Sequence, residues 1–261
     1  MRLDGNVAVV TGGNGGIGEA IALKCAEEGA SVVIVGRNEE KNARVLAKLE
    51  ALEAQGTRHT ALRADLTAET EVEALMGRIY EAYGRIDTLV NNAGIFGNTT
   101  EVPQFTKPFD EILEAEWDTI MTTNVKAPFF CCKHVARYMK EQRAGSIINV
   151  SSSTAWMGAP MFLHYGTAKG ALIAMTKGLA VSLAPYNIRV NTICPGQVFT
   201  DSSLSFGFSA EATGDRIKDR QLLQTVTQPE DMAGIAVYLA SEESRIVTGQ
   251  AFGINGGSFL H

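Results

Sequence analysis

The chain has 261 residues, 45% of them hydrophobic and 20% charged, with a formal net charge of −6. That balance belongs to a globular protein able to bury its own core, and the negative charge argues against nucleic acid or an anionic membrane surface as partner. No apolar run reaches the roughly 18 residues of a membrane span, so no membrane partner is expected, and Met1 to Gly5 leads almost directly into a strand pattern with no room for a signal peptide.

Val7-Ala8-Val9-Val10 is a short apolar run ending in a glycine-rich turn, as a buried parallel strand does. Ala20 to Glu28 reads as a helix closed by Gly29, and Val32 to Val35 as a second buried strand. Asn38 caps a long polar helix expected to run to about Gln55 and stop at Gly56. A strand follows near Thr60-Ala61-Leu62, then a helix from Ala68 to Tyr83 and a strand at Thr88-Leu89-Val90. A long helix is expected within Asp110 to Gln142, a strand over Ser146 to Val150 and a helix from Ala168 to Leu183. Ile188 to Ile193 is a strand, Pro229 opens a final helix, and Gln250 to Ile254 is the last strand.

Strict alternation of strands and helices implies an α/β fold with a parallel sheet covered by helices on both faces. With no repeats, low-complexity tract or Pro/Ser linker, a single domain is expected over 1–261. Two stretches break the rhythm, Ile95 to Glu116 and Phe199 to Thr227. Irregular segments beyond the carboxyl ends of strands usually build the ligand site, so 199–227 is expected to be a substrate loop. Cys25, Cys131, Cys132 and Cys194 form no C-x-x-C pair, which suits neither zinc nor a disulfide framework. No His/Asp/Glu cluster has metal spacing. A reducing cytoplasm is the expected location.

The first turn, Thr11-Gly12-Gly13-Asn14-Gly15-Gly16-Ile17-Gly18, leaves a strand and opens a helix. It holds a literal G-x-G-x-x-G at Gly13, Gly15 and Gly18, and an alternative register at Gly12, Gly16 and Gly18. In either register glycines let the backbone approach a pyrophosphate, and the helix N-terminus offers N–H groups to it. An ordinary glycine-rich turn is the bland alternative, and the placement favours dinucleotide binding. Tyr165-Gly166-Thr167-Ala168-Lys169 is Y-x-x-x-K in a helical pattern, which sets both side chains on one face. A neighbouring ammonium favours the phenolate of such a tyrosine, and the protonated form can donate to a carbonyl oxygen. Ser151-Ser152-Ser153 follows the strand at 147–150, and Ser152 lies thirteen positions before Tyr165.

T-G-x-x-x-G-I-G with Y-x-x-x-K and a serine at this spacing resembles the short-chain dehydrogenase/reductase family, and the resemblance covers nearly the whole chain. It implies a doubly wound Rossmann fold and a hydride transfer between a nicotinamide dinucleotide and a ketone, aldehyde or alcohol. By resemblance Tyr165 is general acid in reduction and base in oxidation, and Lys169 lowers its pKa and holds the nicotinamide ribose. Ser152 would bond the substrate oxygen and Asn124 support a proton relay. The same resemblance places Gly12, Asn14, Gly16, Ile17 and Gly18 at the cofactor. Asp65 and Leu66 would meet its adenine, and Asn91, Ala93 and Gly94 of Asn91-Asn92-Ala93-Gly94 would lie against it. Pro195, Gly196, Val198 and Thr200 would hold the nicotinamide end. A homo-oligomer, dimer or tetramer, is implied, and a homotetramer is expected.

The strand Val32 to Val35 ends in Gly36-Arg37, where an NAD enzyme of this fold carries Asp or Glu. Arg37 favours NADP(H); Gly15, where some NADP-using relatives carry a basic residue, leaves NAD(H) possible. Phe96, Phe105, Trp156, Met157, Met161, Phe162, Phe199, Phe206 and Phe208 are expected around the nicotinamide end. They point to a small apolar or cyclic carbonyl substrate. The alternatives are a 3-oxoacyl-carrier-protein reductase and an NAD-dependent alcohol or polyol dehydrogenase. The long segment at 95–116 and the lack of a basic patch there lean away from the former. His164 is expected to line the pocket without a chemical role, and His59 and His134 to lie in a surface strand and helix.

Overall fold

In the computed structural model, residues 1–53, 56–97, 102, 106–158, 160–204 and 209–260 are described. Seven strands form one parallel sheet in the order β3-β2-β1-β4-β5-β6-β7. They are β1 Val7–Thr11, β2 Ser31–Val35, β3 Thr60–Leu62, β4 Thr88–Asn91, β5 Gly145–Val150, β6 Ile188–Pro195 and β7 Ala251–Ile254. The helices are α1 Gly16–Glu27, α2 Glu39–Glu50, α3 Glu69–Tyr83, α4 Glu114–Met121 and α5 Ala127–Gln142. They continue with α6 Thr154–Met157, α7 Leu163–Leu183, α8 Asp201–Leu204, α9 Ala210–Asp219 and α10 Ala233–Ala240.

The apolar strands feed two cores because successive side chains point to opposite faces. Ala8 and Val10 of β1, Val32 and Ile34 of β2 and Ile148 of β5 pack with α1, α2 and α10. Val9, Val33, Leu89 and Ile147 face the other way, against α3, α5 and α7. The chain winds from β1 outward to β3, then returns to β4 on the other side of β1. The crevice at that reversal, at the carboxyl ends of β1 and β4, is where open α/β sheets bind ligands.

Most boundaries agree with the sequence pattern, and four differ for physical reasons. Helix α1 begins at Gly16 rather than Ala20, its first turn taking in Ile17, Gly18 and Glu19, which brings the helix end to the crevice. Helix α2 stops at Glu50, one residue past its last buried contact, Leu49, and not at Gln55; Gln55 itself is outside the described residues. The long helix of 110–142 is interrupted by a π turn at Thr122–Lys126. Helix α7 starts at Leu163, so Tyr165 and Lys169 both sit in its first two turns.

A polar chain crosses the core beneath the crevice. Asn91 Nδ2 donates to Asn149 Oδ1 at 2.9 Å, Asn149 Nδ2 to Thr176 Oγ1 at 2.8 Å, and Thr176 meets Thr192 at 2.7 Å. These bonds tie β4, β5, β6 and α7 together under the site. Asn149→Ala strips partners from two buried groups, and a loss of about 1–3 kcal/mol in unfolding free energy is expected by urea denaturation. An unchanged midpoint would show that the chain is not structural.

Candidate active site

The glycine loop follows β1, and its backbone decides between the two registers. Gly12 and Gly16 have φ of 63° and 51°, which side chains rarely adopt. A Cβ on Gly18 would collide with the carbonyl oxygen of Gly12. Gly13 is also confined, by Ile34 and the Val10 carbonyl, whereas Gly15 has open space around it, so Gly12, Gly16 and Gly18 form the register in which all three glycines are required. Thr11 Oγ1 fixes the facing loop, accepting from the backbone N–H of Asn92 at 3.0 Å and of Ala93 at 3.1 Å. Asn92 Nδ2 returns two bonds to the carbonyls of Thr11 and Gly12, each 3.1 Å.

Among the described residues no side chain caps helix α1, which starts after Gly15, and Gly15, Gly16 and Ile17 line the large cavity there. Uncapped N–H groups with the positive end of a helix dipole suit a pyrophosphate. These residues fit a dinucleotide.

At the end of β2 a side chain on Gly36 would run into Asn14 and Asn42. Asn14 Nδ2 donates to Asn42 Oδ1 at 2.8 Å, and Asn42 Nδ2 to the Gly36 carbonyl at 3.0 Å. The asparagine pair fills the place where an acid would reach a ribose hydroxyl. Arg37 comes next and, with Asp65 and Leu66, lines a smaller cavity of about 200 Å³ beside the first. Asp65 accepts from the hydroxyl of Thr67 at 2.7 Å and its N–H at 3.0 Å, which hold its carboxyl below the ordinary range.

Asn124 lies in the π turn and is 1% exposed. Its side chain clamps the backbone of Ile95, accepting from the N–H at 3.0 Å and donating to the carbonyl at 2.6 Å. Single π turns inside α-helices recur at functional sites.

Ser152 sits just beyond β5, and its Oγ accepts from Thr154 Oγ1 at 2.9 Å and from Thr154 N–H at 3.2 Å. Burial pushes Tyr165 up to about 12, a hydrogen bond with Ser152 opposing it. Lys169 Nζ donates to the Val150 carbonyl at 2.8 Å and lies 5.6 Å from the centre of the Tyr165 ring. Burial brings Lys169 down to about 8. The expected lowering of Tyr165 by Lys169 is thus not what this arrangement produces. The ammonium lies against the ring, and the cost of burying a phenolate wins.

One cavity of about 970 Å³ gathers most of the expected site. Gly12, Asn14, Gly16, Ile17, Ala93 and Gly94 line it, as do Asn124, Ser152, Tyr165, Lys169, Pro195, Gly196, Val198 and Thr200. Asn91 lies with Arg37, Asp65 and Leu66 on the smaller one. Gly18 lines neither and acts through packing. Phe96, Met157 and Phe162 are on the wall. Trp156 is not, and stacks instead on Phe259 at 5.9 Å; Met161 and Phe199 are also absent from the lining. Phe105, Phe206 and Phe208 fall outside the described residues.

His164 does not line the cavity. It is buried behind it, where Lys107 Nζ meets both oxygens of Glu116 at 2.8 Å. Burial lowers its pKa and the Glu116 charge opposes that. Lys107 N–H also donates to the Met161 carbonyl at 3.1 Å, which ties Lys107 to the turn just before α7. His59 is buried rather than on the surface, its Nδ1 accepting from Val32 N–H at 3.2 Å. His134 pairs with Glu69 at 3.2 Å.

Sequence reasoning missed Asn42, Lys41, Thr213, Arg216 and Arg220, the last four of which line the large cavity. The signal for the last three was Ser209, whose hydroxyl accepts from Ala212 N–H and caps α9. An N-cap serine followed by an acidic first turn marks a helix inside a segment that otherwise reads as irregular.

A doubly wound sheet with a glycine loop at its reversal is the frame of a dinucleotide-binding protein. The family model described as Enoyl-(Acyl carrier protein) reductase matches residues 12–258. The chain is 35% identical to a 3beta-hydroxysteroid dehydrogenase of Mediterraneibacter gnavus, over 98% of this chain and 95% of the relative. It is also 35% identical to a 3-oxoacyl-[acyl-carrier-protein] reductase of Thermotoga maritima, over 98% and 99%. The structure of a short-chain type dehydrogenase/reductase from Mycobacterium ulcerans superimposes with a TM-score of 0.91 at 31% identity, covering 99% of this chain and 91% of that one. This chain belongs to the short-chain dehydrogenase/reductase family, oxidoreductases that interconvert CH–OH and C=O with a nicotinamide cofactor. Among the described residues no helix is long and apolar enough to cross a membrane.

Proposed function

We propose that the chain is an NADP(H)-dependent oxidoreductase of a small apolar or cyclic ketone, aldehyde or alcohol. The observation that carries this reading is the meeting of Ser152, Tyr165 and Lys169 with the uncapped end of α1 in one cavity. The nicotinamide supplies or accepts the hydride when bound. Ser152 orients the substrate oxygen, and Tyr165 gives it a proton in reduction or takes one in oxidation. Lys169 holds positive charge beside the ring and the cofactor ribose, and Asn124 positions segment 95–97 at the wall. Residues 1–261 act as one domain, with 1–94 mainly holding the dinucleotide and 95–261 the substrate.

Exposed Phe129 on α5 and Val181 on α7, on the same side of the sheet, support a homo-oligomer, dimer or tetramer. Four free, buried cysteines support a cytoplasmic location. The substrate reading is tested with NADPH on cyclic and aliphatic ketones, phosphorylated sugars and a 3-oxoacyl thioester on its carrier protein. Preference for the simple ketones is expected. Preference for the thioester would favour the activity named for the Thermotoga maritima relative.

The two pKa shifts set a pH dependence. Reduction needs Tyr165 protonated and Lys169 charged. Tyr165, up at about 12, keeps its proton through the alkaline range, whereas Lys169, down at about 8, loses its own as pH rises. At saturating NADPH, kcat/KM for reduction is expected to be level below about pH 7 and to fall roughly tenfold per unit above about 8. A profile level to about pH 10 would remove Lys169 from the protonic machinery.

A further inference from the structure

The cavity continues from Ser152 and Tyr165 beneath α9, and the wall it meets there is basic. Thr213, Arg216 and Arg220 all line it, and spacings of three and seven put them on one helical face. Thr213 is 1% exposed, and its Oγ1 has no hydrogen-bond partner among the described residues. A buried hydroxyl left unpaired in a residue of the cavity wall is a donor that still lacks an acceptor.

The other charged residues of the lining are Lys41, Lys169 and a single acid, Asp201. Asp201 is near enough to Arg44, on α2, to raise the arginine's pKa, which places it toward the glycine loop. The arginines belong to the opposite end. Gln221, directly after Arg220, packs against Gly256 in the turn that follows β7. That strand is the sheet edge farthest from the adenine-side strands β2 and β3. Ser258, in the same turn region, also lines the cavity. The cations therefore lie beyond the nicotinamide end, on the side left for substrate.

We propose that this face of α9 receives a carboxylate carried by the carbonyl substrate, away from its reacting carbon. The proposal rests on the reading of the cavity as a dinucleotide and carbonyl site, and it narrows the substrate to an oxo acid or hydroxy acid with an apolar body. The apolar part lies along Phe96, Met157 and Phe162, and the guanidinium groups with the Thr213 hydroxyl donate to the carboxylate oxygens.

The test is calorimetric titration of the NADP⁺-loaded protein with 4-oxocyclohexanecarboxylate and with the matching carboxamide. The oxidised cofactor cannot reduce either ketone, so binding alone is read. The acid is expected to bind about ten- to a hundred-fold more tightly than the amide, as charge-assisted hydrogen bonds allow. Arg220→Gln and Arg216→Gln should each remove most of that preference, and Thr213→Val a smaller part. Affinity for the amide and for NADP⁺ should stay within about two-fold. Equal binding of acid and amide, or binding of neither, overturns the proposal. So does an arginine variant that weakens NADP⁺ as much as the acid, which would assign the face to the cofactor diphosphate. A protein that binds neither NADP⁺ nor NAD⁺ fails before any ketone is added, and that failure falls on the reading of the cavity itself.

Discussion

Tyr165→Phe should bind the dinucleotide as the wild type does and lose roughly 10²–10⁴ in kcat, the usual contribution of a positioned acid or base. The substitution removes one oxygen and leaves the ring. The edge contact with Phe96, 6.4 Å between centres, and the approach of Lys169 at 5.6 Å both involve the ring and survive. Ser152 keeps its two bonds from Thr154, so the groove around the substrate oxygen remains. What disappears is the proton. Burial holds it on Tyr165 up to about 12, so near neutral pH the hydroxyl is an acid ready to donate to a carbonyl oxygen as it gains charge. Cofactor affinity by fluorescence titration and kcat in the reductive direction separate binding from chemistry. Turnover near the wild-type rate with cofactor affinity intact would show that the proton comes from elsewhere.

The parts of this site that the sequence revealed are those held by local chemistry. Gly12, Gly16 and Gly18 stand where the backbone has no room or no other conformation, and Tyr165 and Lys169 are one turn apart on a helix. Such constraints leave fixed spacings. Tertiary placement left none. Ser152 meets Tyr165 only because α7 packs beside β5, and His164, adjacent in sequence to the tyrosine, turns away from the cavity toward Glu116. The aromatic wall was read from composition, and Trp156 left it for Phe259, a residue more than a hundred positions away. Helix α9 was hidden because Gly214 and five charged side chains within ten residues weaken the apolar period. Its capping serine was the one readable mark.

Arg37→Asp should move the cofactor preference from NADPH toward NADH, and the packing around Gly36 explains why one residue governs the choice. An acid on the strand end would accept from a ribose hydroxyl and repel a phosphate. Here that space is taken by Asn14, held by Asn42, which itself bonds the backbone of Gly36. The first side chain free to reach the smaller cavity is Arg37, across from Asp65. Asp65 is committed to Thr67 and held ionised, and the Arg37 charge lowers its pKa further with no hydrogen bond between the two among the described residues. The guanidinium thus remains available to a 2′-phosphate, a charge-assisted contact of about 1.5–3 kcal/mol. Losing it costs roughly ten- to a hundred-fold in affinity for NADPH, and the new carboxylate adds repulsion. NADH has no phosphate to lose and gains an acceptor for its ribose. The ratio of kcat/KM for NADPH and NADH should therefore fall by at least about ten-fold in the variant. A wild-type enzyme that already prefers NADH, or a ratio unmoved by the substitution, would show that Arg37 lies along the adenine without reading the ribose.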